Sequence, residues 1–180
     1  MSTLTIILIA VVIVLLAAVA WLMIARRRSQ HLRSKFGPEY SRAVTELGGR
    51  AKAERELERR EKRVQKLDIR PLAPAARDRF IAAWREDQAR FVDDPKGAVA
   101  EADRLVQAVM RERGYPVADF EHRVDDVSVD HPHLVQSYRA ARDVVLRHQR
   151  GEASTEDLRR ALVYYRDLFD ELLEVQEVRR

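Results

Sequence analysis

The chain has 180 residues, no cysteine, and 33 Lys and Arg against 29 Asp and Glu, which gives a net charge of +4. The lack of cysteine excludes disulfide-framed folds, cysteine nucleophiles and cysteine-based metal sites. Once a long apolar run is set aside, the remaining length suits one modest domain with a single hydrophobic core.

Residues 4–24 form the apolar run, which is uncharged and rich in Leu, Ile, Val and Ala. As a helix, these 21 residues would span about 31 Å, the hydrocarbon thickness of a bilayer. We therefore predict a transmembrane anchor over residues 1–25. The alternative is a signal peptide cleaved after the small-x-small residues 18–20, which would make the protein secreted. The run continues past residue 20 and no basic n-region precedes it, so an uncleaved anchor is favoured.

The membrane interface is predicted at the carboxyl end of the run, where Trp21 is followed by Arg26, Arg27 and Arg28. Indole rings favour the headgroup level, and positive charge favours the cytoplasmic side. The amino terminus should therefore face outward and the rest of the chain should lie in the cytoplasm. The chain has 28 Arg and only 5 Lys, a ratio typical of GC-rich bacterial genomes, so we expect the protein in the bacterial inner membrane.

A basic helical stalk is predicted over residues 26–68. Residues 26–67 contain 14 Lys and Arg against 6 Asp and Glu, whereas residues 68–180 contain 19 against 23. The apolar positions 53, 57, 64 and 67 have a heptad-like spacing that Arg60 interrupts. A homodimer through residues 50–68 and a single helix, either solvated or packed on the following domain, are both open. The positive charge fits anionic lipid headgroups as well as a simple topology signal.

A proline hinge is predicted over residues 69–74, because Pro71 and Pro74 disfavour helix at the preceding positions. Beyond it, residues 75–180 show the apolar periodicity of four long helices and a short one at 119–127. Asp94 is the expected N-cap of the second long helix, and Asp130 or His131 that of the third. Ser154 and Asp157 have the spacing of a capping box for the last. We predict an all-α chain whose carboxyl-terminal part is an antiparallel helical bundle.

No catalytic constellation is evident in the sequence. His131 and His133 are weak metal-ligand candidates, because helix capping already explains the residues around them. Asp125 and Asp126 are interpreted as a solvated helix face. No glycine-rich phosphate loop or nucleophile elbow occurs. We therefore predict a non-enzyme without a cofactor or metal, and Tyr164 is the first candidate for a partner surface.

Four stretches resemble an uncharacterised family of bacterial membrane, secreted or hypothetical proteins. They are FGPEY at 36–40, KRVQKLDIRPL at 62–72, RFVDDP at 90–95 and GEASTEDLR at 151–159. The resemblance covers most of the chain after the apolar run. It implies no catalytic or binding residues, because none are assigned to that family.

The leading hypothesis is a single-pass membrane protein whose cytoplasmic bundle is a non-catalytic protein-interaction or scaffold module. The first alternative is a sensor of anionic lipid surfaces that acts through the basic stalk. A metal-dependent enzyme ranks behind both. Nucleic acid is not expected as a partner, because residues 50–66 contain many Glu and no interleaved aromatic residues.

Overall fold

A computed structural model describes residues 3–174, with the side chains of residues 8, 9 and 11–173. These residues form eight α-helices and one 3-10 turn and contain no strand, which confirms the all-helical fold class. They divide into two compact units, Met1–Glu58 and Arg59–Arg180. Within the described residues, no helix combines the length and the apolar character needed to cross a membrane. The predicted span over residues 4–24 lies partly outside the described side chains, so it stays a prediction.

Three helices make up the first unit. α1 (Thr3–Phe36) includes the apolar run and the first basic residues, α2 (Pro38–Glu46) begins with its proline, and α3 (Arg50–Val64) follows the Gly48-Gly49 turn. The boundary between the units falls inside α3. Polar contacts join all three helices: Arg28 pairs with Glu58, and the Tyr40 hydroxyl donates to Glu54 at 2.8 Å.

A small set of apolar side chains is buried in the first unit: Leu32, Phe36, Tyr40, Ala43, Ala53 and Leu57. Ala53 and Leu57 belong to the heptad-like positions on which the predicted homodimer rests. Val64, a third such position, is also buried within the single chain. A dimer through residues 50–68 therefore needs contacts other than these three side chains.

The predicted hinge belongs to the second unit and packs on its core. Leu72 is buried in the core, and Leu67 and Ile69 pack against it. The Arg70 backbone N–H donates to the Arg113 carbonyl at 2.9 Å. At Gly114, which has φ +93°, an added Cβ would lie 2.3 Å from the Asp68 carbonyl oxygen. Only glycine fits there without moving the linker.

The bundle consists of α4 (Pro74–Arg90), α5 (Pro95–Glu112), α6 (Phe120–Asp130), α7 (Val135–Gln149) and α8 (Thr155–Glu174). Their apolar stripes meet in one core with few polar interruptions. The side chains at its centre, all fully buried, are Val106, Val109, Met110, Val124, Val127, Val135, Tyr138, Ala161, Tyr165 and Leu168.

The helix directions differ from a fully antiparallel arrangement. Short turns make antiparallel hairpins of α4 with α5 and of α7 with α8. The Arg113 guanidinium, just beyond α5, donates to the Leu172 carbonyl near the end of α8 at 3.0 Å. The carboxyl ends of α5 and α8 therefore lie together, and these extensively packed helices run in the same direction. The antiparallel prediction holds for the two hairpins and not for this central pair.

Two predicted helix starts are confirmed and one is wrong. The Asp94 carboxylate accepts from Gly97 N at 2.9 Å, and Ser154 and Asp157 exchange the two hydrogen bonds of a capping box. The third long helix is not capped by Asp130 or His131. Asp130 still belongs to α6, because the His131 N–H continues that helix by donating to Val127. The 3-10 turn Pro132–Leu134 then precedes α7.

Candidate functional site

A pocket lined by arginines lies in the first unit, between the basic part of α1 and the start of α3. Its volume is about 480 Å³, within the range of small-ligand sites. The α1 residues are spaced by three and four positions, so they share one helical face. This arginine pocket is lined by Ala25, Arg26, Ser29, Gln30, Arg33, Arg50 and Glu54.

The arginine pocket has more positive than negative side chains. Glu54 is its one carboxylate, and that carboxylate accepts the Tyr40 hydroxyl at 2.8 Å. The Arg33 guanidinium lies 5.4 Å from the centre of the Tyr40 ring, in a cation–π contact. Among the described residues, Arg26 and Arg50 have no ion-pair partner. The pocket is therefore suited to an anion.

A second concave surface lies in the second unit, between α4 and α8, and has a volume of about 320 Å³. Its floor is the stacked pair Trp84 and Phe169, with ring centres 4.5 Å apart. Three arginines and a single carboxylate, Asp170, surround the floor. This α4/α8 groove is lined by Arg77, Ile81, Trp84, Arg85, Gln88, Arg166, Phe169, Asp170 and Leu173.

Of the predicted interface residues, only Arg26 lines the arginine pocket. Trp21 is 69% exposed on α1. Arg27 is exposed and lies outside the pocket lining, and Arg28 pairs with Glu58. The sequence identified the charge that follows the apolar run. It gave no sign of Arg50, whose approach to α1 depends on the turns between the helices.

The two candidate metal ligands are not brought together. His131 is buried and its Nδ1 lies 3.1 Å from Glu171 Oε1, whereas His133 is exposed. Burial lowers the pKa of His131, and the nearby Glu171 partly opposes that shift. No group of three or more His, Asp or Glu among the described residues is arranged to hold a metal ion. His131 is instead buried near Arg113, with the partly exposed Glu171 as its hydrogen-bond partner.

The interpretation of Asp125 and Asp126 as a solvated face is wrong. Arg60 lies 3.0 Å from Asp125, and the Arg63 guanidinium lies 2.7 Å from Asp126, whose side chain is only 1% exposed. Arg60, which interrupts the apolar spacing of α3, therefore has a partner on α6. The contact joins residues more than sixty positions apart in the chain, so local sequence patterns could not reveal it.

Asp87 is a buried carboxylate that the sequence did not single out. Its side chain on α4 is 3% exposed, and neither oxygen has a hydrogen-bond partner among the described residues. Burial, with a smaller contribution from Glu101, raises the pKa of Asp87 from 3.8 to about 6. The fold therefore favours the protonated form of this group.

Tyr164, the predicted partner residue, is half-buried and packs against the core of the second unit. It does not line the α4/α8 groove. The helical spacing of Trp84 and Phe169 is that of core residues, and the structure buries both side chains beneath the groove.

Comparisons of the chain with protein-family models, with curated proteins and with solved structures found no match. The resemblance to an uncharacterised bacterial family stays a prediction. The function is accordingly inferred from the apolar run, the arginine pocket and the α4/α8 groove.

Proposed function

We propose that this chain is a single-pass protein of the bacterial inner membrane, anchored through residues 4–24, with its amino terminus outside and its helical bundle in the cytoplasm. The bundle serves as a non-catalytic protein-interaction or scaffold module. The observation that carries the proposal is the exposure of the apolar part of α1. Thirteen large apolar side chains between Leu8 and Ile24 are at least 44% exposed.

These side chains surround α1 on all sides, as in a helix whose whole circumference meets lipid. An amphipathic helix would place them on one stripe. Exposed apolar patches of this extent mark sites of membrane or protein contact in folded proteins. Arg26, Arg27 and Arg28 support the orientation, because positive charge collects on the cytoplasmic side.

The α4/α8 groove supports the interaction role. Its three arginines outnumber its single carboxylate, Asp170. Trp84 and Phe169 beneath them are core side chains, only 5% and 1% exposed, so the support comes from charge. An acidic protein segment fits this charge. The groove lies in the bundle, outside the segment that would meet lipid.

Alkaline carbonate extraction of membranes from cells that express the full chain tests the anchor. We expect the chain to remain in the membrane pellet. Recovery in the supernatant would contradict the proposed anchor.

Co-purification tests the interaction role with two matched double variants. Arg85→Glu/Arg166→Glu reverses charge in the groove, and Arg79→Glu/Arg159→Glu reverses charge on the same two helices outside it. A specific acidic partner should be lost with the first variant and kept with the second. Equal retention by both variants would contradict a role for the groove.

The second candidate function is recognition of anionic lipid through the basic stalk. The arginine pocket favours it, because Arg26 and Arg50 have no partner among the described residues. Binding should then depend on anionic lipid and weaken as salt increases.

A further inference from the structure

We infer that the arginine pocket binds the phosphate of an anionic phospholipid headgroup. The inference rests on the proposed membrane anchor, because the anchor determines the depth at which the pocket lies. The basic stalk would then have one ligand class and one defined set of binding residues.

The position of the pocket supports a lipid ligand. Ala25, the first residue in the lining, directly follows the apolar run. If residues 4–24 occupy the hydrocarbon layer, Arg26 lies at the level of the lipid phosphates. Ser29 and Gln30 lie one helical turn further along α1, at a rise of about 1.5 Å per residue. A headgroup whose acyl chains stay in the bilayer can therefore reach the pocket.

The donors in the pocket match a phosphate. Guanidinium groups bind phosphate oxygens through charge-assisted hydrogen bonds that are shorter and stronger than neutral ones. Arg26 and Arg50 approach from two different helices, and the Gln30 amide adds a neutral donor beside them. The pocket therefore offers donors from several directions to one anion.

The aromatic and acidic residues behind the pocket hold this arrangement. Tyr40 is 3% exposed and lies between α1 and α3, where its hydroxyl donates to Glu54 at 2.8 Å and lies 3.4 Å from the Ser29 hydroxyl. Its ring also contacts the Arg33 guanidinium. Glu54 accepts the Tyr40 hydroxyl through one oxygen and keeps its negative charge, so the three pocket arginines against this one carboxylate leave a net charge of +2.

The experiment is a titration of phosphatidylglycerol into the full chain in a neutral detergent, followed by native mass spectrometry. Arg26→Gln/Arg50→Gln removes the two unpartnered pocket arginines. Arg27→Gln/Arg55→Gln makes the same charge change on the same two helices outside the pocket. Because all four side chains are exposed, both variants should keep the wild-type circular dichroism spectrum.

We expect the pocket variant to weaken phosphatidylglycerol binding on the order of 30-fold and the control variant to weaken it less than about threefold. Phosphatidylcholine should bind weakly to all three proteins. Equal weakening by the two variants would overturn the pocket as the site.

Competition with inorganic phosphate distinguishes the source of the anion. We expect millimolar phosphate to displace little lipid, because it lacks the acyl chains. If phosphate binds the pocket as tightly as phosphatidylglycerol does, the ligand is a soluble anion and the lipid assignment is overturned. Because the titration uses solubilised protein, failure of the membrane anchor in carbonate extraction is a separate result.

Discussion

The unit Met1–Glu58 exposes thirteen large apolar side chains between Leu8 and Ile24, whereas among the described residues of Arg59–Arg180 only Val92 and Leu146 are exposed large apolar side chains. In the second unit, side chains of the same types form a continuous core with relative exposures mostly below a tenth. Apolar burial is the main favourable contribution to folding in water. The second unit therefore buries its apolar residues internally, whereas the first leaves those of residues 8–24 exposed, as the proposed membrane anchor would need.

The comparison also separates two uses of arginine. In the second unit, Arg60 and Arg63 pair with Asp125 and Asp126 and join α3 to α6. In the first unit, Arg26 and Arg50 have no such partner among the described residues and face a shared pocket. Paired arginines fix the fold, and unpartnered arginines in a pocket are available to a ligand.

The largest expected effect comes from placing charge in the apolar run. Val12→Arg/Leu16→Arg should make the free energy of membrane insertion less favourable by about 6 kcal/mol, because each arginine near a bilayer centre costs about 3 kcal/mol. Carbonate extraction should move this variant to the supernatant. The apolar swap Val12→Leu/Leu16→Val should stay in the pellet. If the arginine variant stays in the membrane pellet, the exposed apolar side chains of the first unit are not what holds the chain in the membrane.

Next in size is Gly114→Ala, which alters only the second unit. Its positive φ and the 2.3 Å approach of an added Cβ to the Asp68 carbonyl should together cost about 3 kcal/mol. Gly151→Ala is the control, since Gly151 also has positive φ but has no atom near an added Cβ. It should cost about 1 kcal/mol. Thermal unfolding followed by circular dichroism measures both, and equal losses would show that the linker is not docked.

A smaller effect is expected from Arg63→Met, which leaves the buried Asp126 without its guanidinium. Because Arg63 is partly exposed, we expect a loss of about 2 kcal/mol in the free energy of unfolding. Adding Asp126→Asn should restore part of that loss. Arg159→Met breaks the exposed pair with Glu156 and should leave the free energy of unfolding nearly unchanged. No difference between Arg63→Met and Arg159→Met would contradict the buried pair.

The smallest effect depends on pH. Because the pKa of Asp87 is raised from 3.8 to about 6, its stabilising contribution is fully present below pH 3.8 and is lost as the pH rises through about 6. Asp87→Asn should therefore stabilise the fold by about 1–2 kcal/mol at pH 8 and have almost no effect at pH 4. Glu86→Gln, on the exposed face of α4, should show no such dependence. Chemical unfolding at the two pH values checks this, and a pH-independent effect of Asp87→Asn would contradict it.

Sequence patterns predicted the helices of the bundle because local chemistry marks their ends. Asp94-Pro95 and the Ser154-Asp157 capping box begin helices, and Gly114 and Gly151 follow their ends. The exception is the start of α7. Its proline follows a residue that still belongs to the preceding turn, so a 3-10 segment intervenes where a single capped helix was expected.

The candidate sites were predicted less completely, because they depend on contacts between distant residues. Arg26 could be identified from its place after the apolar run, but its neighbour Arg50 is brought close by the turns around α2. The parallel direction of α5 and α8 likewise depends on α6, which returns the chain to the end of the bundle where α5 stops, since the Tyr115 hydroxyl donates to Asp130. Burial of Asp87 gave no local signal, because an acidic residue beside Trp84 is also compatible with a solvated helix face.

Cysteine labelling in intact bacterial cells tests the membrane-anchored arrangement most directly. The chain has no cysteine, so Val92→Cys, at a position that is 85% exposed, provides one reactive thiol in the second unit. We expect a membrane-impermeant maleimide to label this thiol only after the cells are lysed, and to label Ser2→Cys in intact cells. Labelling of Val92→Cys before lysis would contradict a cytoplasmic bundle behind a membrane anchor.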